Sequence, residues 1–283
     1  MSWTGGPWGE SARCVLAPNA GPMTLDGTNT WVLARPGASL AVVVDPGPDD
    51  EGHLAAVRAA VAAGEARVGL VLLTHSHPDH AEGARRFAEL TGAPVRALDP
   101  AFRLGSEGLA DGDVIGLGGL EIRVVGTPGH TSDSLSFLLA QDGGLLTGDT
   151  VLGRGSTVIA YPDGRLGDYL ESLHRLADLV AGGFGPGGAG GAVTAILPGH
   201  GPVLSDPAGV IEGYLLHRGE RLAQVAAAVS AGARTPLAVV EIVYAEVDRE
   251  LWPMAELSVR AQLDYLGVTD RPSGTDQPTG MDY

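Results

Sequence analysis

The chain of 283 residues contains no lysine; its 18 basic residues are all arginines, set against 34 carboxylates for a formal charge of −16. That excess repels phosphate backbones and leaves no basic footprint, which counts against nonspecific nucleic-acid binding without excluding a local site. Cys14 is the only cysteine, so an intrachain disulfide and a CxxC zinc site are both excluded. It reads as a passive residue away from any ligand segment. Aromatics make up only 5%, so packing must rest on Ala, Val and Leu. No apolar run approaches the ~18 residues of a membrane span. Met1 to Glu10 has neither a basic n-region nor an apolar h-region. These absences lead us to expect a soluble, cytoplasmic protein with no membrane partner. What is present, 44% hydrophobic residues, suffices for an ordinary core. The length suits one large domain or a medium domain with an appendage.

After an irregular Gly- and Pro-rich start, Thr30 to Ala34 and Leu40 to Val44 read as strands, the second stopped by the turn signal Asp45-Pro46-Gly47. Glu51 to Ala63 reads as a helix, and Val68 to Leu73 as a strand buried on both faces. A helix from about Asp79 to Leu90 follows. Val114 to Leu117, Leu120 to Val125, Leu135 to Ala140 and Leu145 to Leu146 form a predicted meander, with Asp142-Gly143-Gly144 turning the last pair. Leu166 to Val180 is predicted as an amphipathic helix, Gly182 to Ala192 as a flexible linker and Val193 to Leu197 as a strand. Beyond Val210 the character turns helical: Val210 to Ala231, Leu237 to Val247 and Met254 to Leu266. The polar, Gly/Pro-rich residues 269–283 read as a disordered tail.

The chemistry concentrates at predicted strand ends. Thr74-His75-Ser76-His77-Pro78-Asp79-His80 follows the buried strand directly. His75 and His77, two residues apart in extended chain, can point to one side, while Asp79 and His80 begin a helix. Three imidazoles and a carboxylate so close together suit borderline-soft divalent metals such as zinc. As mere core polar groups they would leave buried charge without partners. Gly126-Thr127-Pro128-Gly129-His130, Thr147-Gly148-Asp149 and Leu197-Pro198-Gly199-His200 repeat the pattern of strand, Gly or Pro, then ligand. Seven groups exceed one tetrahedral zinc and match two ions sharing a carboxylate.

With these residues in view, the chain resembles the metallo-β-lactamase superfamily, whose His-x-His-x-Asp-His signature is matched by His75, His77, Asp79 and His80. The resemblance spans roughly Gly27 to Leu204. It implies an α/β fold, a four-layer αββα sandwich over 1–205. It assigns His75, His77 and His130 to one metal, Asp79, His80 and His200 to a second, and Asp149 as the bridge. Within the superfamily the chain looks most like the endoribonuclease and thioesterase branch. The features are Gly27-Thr28-Asn29-Thr30, the stretch from Gly148 to Thr157, and Tyr214-Leu215-Leu216-His217-Arg218 opening the helical region. That branch implies a small winged-helix-like domain, here over 206–268, whose wing strand is expected to be absent or reduced. With five Arg against nine Asp and Glu between Pro207 and Asp270, that region offers little grip on nucleic acid.

The resemblance implies a dinuclear zinc hydrolase acting through a metal-bridging hydroxide, with Fe or Mn as alternative ions and Asp79 as ligand and proton acceptor. A small or carrier-bound ester or thioester is the preferred substrate. Single-stranded RNA cleavage is the first alternative, an iron-dependent persulfide dioxygenase the second and a non-catalytic nucleic-acid binder the third. Four further residues are substrate-binding candidates, each against a plainer role: Asn29 (turn support), Ser156 and Thr157 (loop hydrogen bonds) and His217 (a cap or surface residue). His53 and His174, in predicted amphipathic helices, are expected to be solvated.

Overall fold

Successive residues along each central strand point to opposite faces, and here both faces are apolar and covered. The computed structural model describes residues 2–184 and 191–268. The centre of the glycine-rich segment and the tail over 269–283 lie outside the described residues. One sheet runs in sequence order: β1 (Gly6–Trp8), β2 (Ala12–Leu16), β3 (Asn29–Leu33), β4 (Leu40–Val44), β5 (Arg67–Leu72) and β6 (Val95–Arg96). β4 and β5 pair in parallel, connected by helix α1 (Glu51–Ala63). The second sheet contains β7 (Val114–Leu117), β8 (Leu120–Gly126), β9 (Leu135–Leu139), β10 (Gly144–Gly148) and β11 (Ala195–Pro198), in the order β11-β10-β9-β8-β7. Its antiparallel meander ends in one parallel pair, β10 with β11.

Trp31, Leu33, Val42, Val44, Leu70 and Leu72 meet Ile122, Val124, Leu135, Phe137, Leu139 and Leu197 in the core between the sheets. The intervening residues Val32, Ala41, Val43 and Val71 turn outward against Leu54, Val57 and Val61 of α1 and Phe87. On the far side Leu138, Leu145 and Ile196 pack on Leu166, Tyr169, Leu173 and Leu176 of α4 (Leu166–Gly182). The layers are therefore helix, sheet, sheet, helix, as expected.

The helix predicted from Asp79 to Leu90 is two helices, α2 (Pro78–Ala81) and α3 (Ala84–Thr91). At the break the Gly83 N–H bonds out of the helix, and the close approach leaves room only for glycine. Its N–H donates to Gly47 O at 2.9 Å, and a Cβ there would stand 2.8 Å from Pro48 O. The chain start read as irregular holds β1 and β2, with Ala12 and Cys14 facing the inter-sheet core. Strands that short, with small inward residues, carry little periodic signal.

The C-terminal helices are α5 (Pro207–Ser230), α6 (Pro236–Val243) and α7 (Trp252–Tyr265). Their own core joins Val225, Ala228, Val239, Val240, Val259 and Leu263. α5 also sends Ile211 and Tyr214 into the layer beneath α4, so one helix belongs to both cores. No strand follows β11 among the described residues, in line with a reduced wing.

Candidate metal centre

Four loops leave the two sheets at one edge of the sandwich. His75 and His77 follow β5, His130 follows β8, Asp149 follows β10 and His200 follows β11. Asp79 and His80 ride on α2, whose N-terminal Pro78 is preset for a first turn. The structure brings all seven predicted ligands together. Single donor atoms of His75, His77 and His130 lie within 4.8 Å of one another, as do those of Asp79, His80 and His200 and those of His75, His80 and Asp149. Asp149 stands between the groups: its Oδ2 is 3.3 Å from His200 Nε2 and 3.7 Å from His130 Nε2.

The outer ring nitrogens are tied down. His75 Nδ1 meets Thr74 Oγ1 at 3.0 Å, His80 Nδ1 donates to Asp45 Oδ2 at 2.9 Å, His130 Nδ1 donates to Val158 O at 2.6 Å, and His200 Nδ1 lies 3.2 Å from Gly27 O. Each arrangement aims a lone pair on Nε2 inward, as metal-ligating imidazoles require. His80 Nε2 and His200 Nε2 then face each other at 3.3 Å, and His77 Nδ1 faces His130 Nε2 at 3.0 Å. Paired acceptors that close repel unless a cation lies between them. His75 Nε2 and Asp149 Oδ1 are moreover buried with no hydrogen-bond partner. These residues fit bound divalent ions.

Charge in the cluster follows burial and proximity. Burial raises the Asp149 carboxyl, but His200 and His80 outweigh it and hold the group well below the usual carboxylate range. Asp79 behaves alike: burial opposes, yet His80 and His200 bring it to about 2. Burial, reinforced by His80 and His130, holds His75 well below 6.5. Burial likewise takes His130 to about 4, against the pull of Asp149. His200 is desolvated too, yet Asp149 and Asp79 carry it to about 9.

Several supporting residues escaped the sequence reading. Asp45, read only as part of a turn, is buried at the end of β4 with φ of 52°. Its Oδ2 accepts from His80 and from Thr74 Oγ1 at 2.7 Å, and its Oδ1 from Thr74 N at 2.8 Å. An Asp closing a strand at the same edge as the ligands was the available signal. Gly199 allows close approach, since a Cβ there would stand 2.5 Å from Asp149 Oδ1 and 2.7 Å from His80 Cε1.

Asn29 is fully buried and lies behind the site. Its Nδ2 donates to Pro198 O and Gly201 O, each at 2.9 Å, fastening the loop that carries His200. Its Oδ1 accepts from Trp3 Nε1 and from the Cys14 thiol. Cys14, expected far from the ligand segments, thus supports one of them, and burial pushes its thiol up to about 12. Thr157 is also buried, with Oγ1 3.2 Å from His130 Nδ1. His174 is exposed as expected. His53 is not: it is buried, with Nε2 2.8 Å from Thr30 Oγ1, because it faces the sheet from the first turn of α1.

Beside His130 and Asp149 lies a cavity of about 280 Å³. Ser156 and His217 line it, together with Met23, Leu152 and residues of α5, of α7 and of the segment between α6 and α7. The helical region therefore forms one wall of the site. Among the described residues no helix is long and apolar enough to cross a membrane.

Comparison with known proteins agrees with this geometry. Residues 23–188 match the metallo-beta-lactamase superfamily model, and 235–267 match the beta-lactamase associated winged helix domain. The chain is 31% identical to the beta-lactamase-like protein 2 homolog of Drosophila melanogaster over 270 residues, 89% of this chain and 86% of that one. It is 36% identical to an atrochrysone carboxyl ACP thioesterase of Aspergillus fumigatus over 172 residues, 58% of this chain and 51% of that protein. A metallo-beta-lactamase family protein from Thermus thermophilus superposes with a TM-score of 0.73 at 24% identity, covering 91% and 93% of the two chains. A winged-helix appendage and a converged His/Asp cluster thus accompany a family match over most of the catalytic layers, and the chain is a member of the metallo-beta-lactamase superfamily of metal-dependent hydrolases.

Proposed function

We propose that the chain is a dinuclear zinc hydrolase cleaving a small or carrier-bound thioester or ester. The observation that carries this reading is the seven-residue cluster, in which Asp149 stands between two groups of three and the outer nitrogens of His75, His80, His130 and His200 are already anchored. His75, His77 and His130 would hold one ion and Asp79, His80 and His200 the other, with Asp149 shared. Such a pair, when bound, lowers the pKa of water and polarises an acyl oxygen.

The chain's own residues supply position and proton handling. Asp79 is the more open of the two ligand carboxylates, its side chain 28% exposed against 11% for Asp149, with Oδ2 3.2 Å from His200 Nε2. Asp79 would therefore be the carboxylate better able to take a proton from an attacking water. Among the described residues of the cavity wall, Asp149 is the only carboxylate, so apart from the proton that Asp79 would take up the wall offers no carboxylic acid to a poor leaving group. A thiolate, with a parent pKa of ~8.5, departs without such help, whereas an alkoxide from RNA does not. The likeness to a named thioesterase supports the same preference.

Metal analysis of the purified chain should find two zinc ions, and a panel of thioesters, lactones and short RNAs should show thioester turnover lost with a chelator and restored by zinc. His77→Ala should lower kcat/KM by at least about 100-fold. Salt-sensitive RNA cleavage abolished by that variant, or one iron per chain with oxygen uptake on a persulfide, would overturn the reading.

A further inference from the structure

The cavity beside the metal centre has a charge opposite to that of the molecule. The chain carries 34 carboxylates, yet among the described residues lining this cavity only Asp149 is acidic, against Arg154, Arg218 and Arg221. Arg154 is neutralised by an ion pair with Asp26. The other two make contacts of a different kind. Arg221 donates to Val243 O at 2.8 Å and Gln224 Oε1 at 2.9 Å, with its guanidinium carbon 4.5 Å from the Tyr244 ring. Arg218 donates to Thr157 O and lies 4.8 Å from the Tyr169 ring. It is only 3% exposed, and its Nε has no hydrogen-bond partner. A buried cation held by a carbonyl and a tyrosine is costly unless an anion completes its surroundings. Around these arginines the wall is apolar, with Met23, Leu25, Leu152, Val247, Leu251 and Met254.

We propose that this cavity recognises a substrate with an apolar acyl body and an anionic group, which Arg221 of α5 engages with Arg218 behind it. The proposal rests on the hydrolase reading and names the substrate class for the same site. The planar guanidinium fork suits a carboxylate or a phosphate. The anion could therefore stand on the acyl group or on the arm of a carrier, and its chemistry at the arginines is the same in both.

Three thioesters separate these sources with the zinc-loaded full chain: hexanoyl-N-acetylcysteamine, which is neutral; adipoyl-N-acetylcysteamine, anionic on the acyl end; and hexanoyl-4′-phosphopantetheine, anionic on the arm. One anionic ester should be preferred over the neutral one by about 10- to 100-fold in kcat/KM, the worth of a charge-assisted contact. Arg221→Met should collapse that ratio toward one, and Arg221→Lys should restore part of it, since it returns the charge without the fork. Preference for the adipoyl ester places the anion on the acyl group, and preference for phosphopantetheine places it on the arm. No preference in the unaltered chain, or a ratio unmoved by Arg221→Met, overturns the proposal; loosened helix packing would slow all three esters alike and leave the ratio unmoved. Calorimetry with adipate, hexanoate and phosphopantetheine reads the subsite without turnover. Arg221-dependent anion binding with no ester cleaved would uphold the subsite and overturn the hydrolase reading.

Discussion

Asp45 accepts from the ring of His80 and from the hydroxyl of Thr74, which in turn touches the ring of His75, so one carboxylate orients two imidazoles. Asp45→Asn keeps the size and tolerates the left-handed backbone but removes the charge. Metal affinity, measured by chelator competition, should fall about 10- to 100-fold. The seven candidate ligands were readable because imidazoles and carboxylates crowd strand ends where chain-building needs none of them. Asp45 was not, since it also makes sense as an ordinary turn residue; Asn29 was a candidate, but whether it supports a turn or the site depends on partners distant in sequence. His53 was misjudged for a related reason: helical spacing places it on a face without saying what covers that face. Burial holds its imidazole below 6.5, with Asp50 opposing. The unfolded ring therefore takes up a proton before the folded one. This contribution to stability is intact above pH ~6.5 and declines as pH falls below it. Unfolding free energies at pH 7.5 and 5.5 should differ less in His53→Gln than in the unaltered chain.

At the scale of elements, the central strands were legible because five-residue β-branched and leucine runs bounded by turn signals have few alternative readings. The division between α2 and α3 was not, because it arises from a contact rather than a propensity. Gly83 passes against the carbonyls of Gly47 and Pro48 just beyond the helix that carries Asp79 and His80. Gly83→Ala should raise local helix propensity yet destabilise the fold by about 1–3 kcal/mol, as overpacking does. Urea unfolding measures this; a gain in stability would show that the contact is unimportant. Since that segment bears two of the candidate ligands, metal affinity should fall with it. The opening strands β1 and β2 remained illegible because strands that short need only a few correctly facing small residues, here Ala12 and Cys14 of β2.

At the scale of the molecule, the two sheets share one apolar core but are joined a second way, through their loops. His77 and His130 belong to different sheets and lie 53 residues apart in sequence; His80 and His200 lie 120 apart. A metal ion held by either set closes a long stretch of chain, the topological act that a disulfide performs in other proteins. In the chain-entropy model, tying loops of that length removes on the order of 4 kcal/mol of unfolded-state freedom each. Chelation should therefore lower the melting temperature. Hydrogen exchange should accelerate first in the loops after β5, β8, β10 and β11, while the inter-sheet strands stay protected. With a single cysteine the chain cannot staple itself covalently. It would carry instead a cross-link that forms wherever the ion is available, one that no change in redox potential need break.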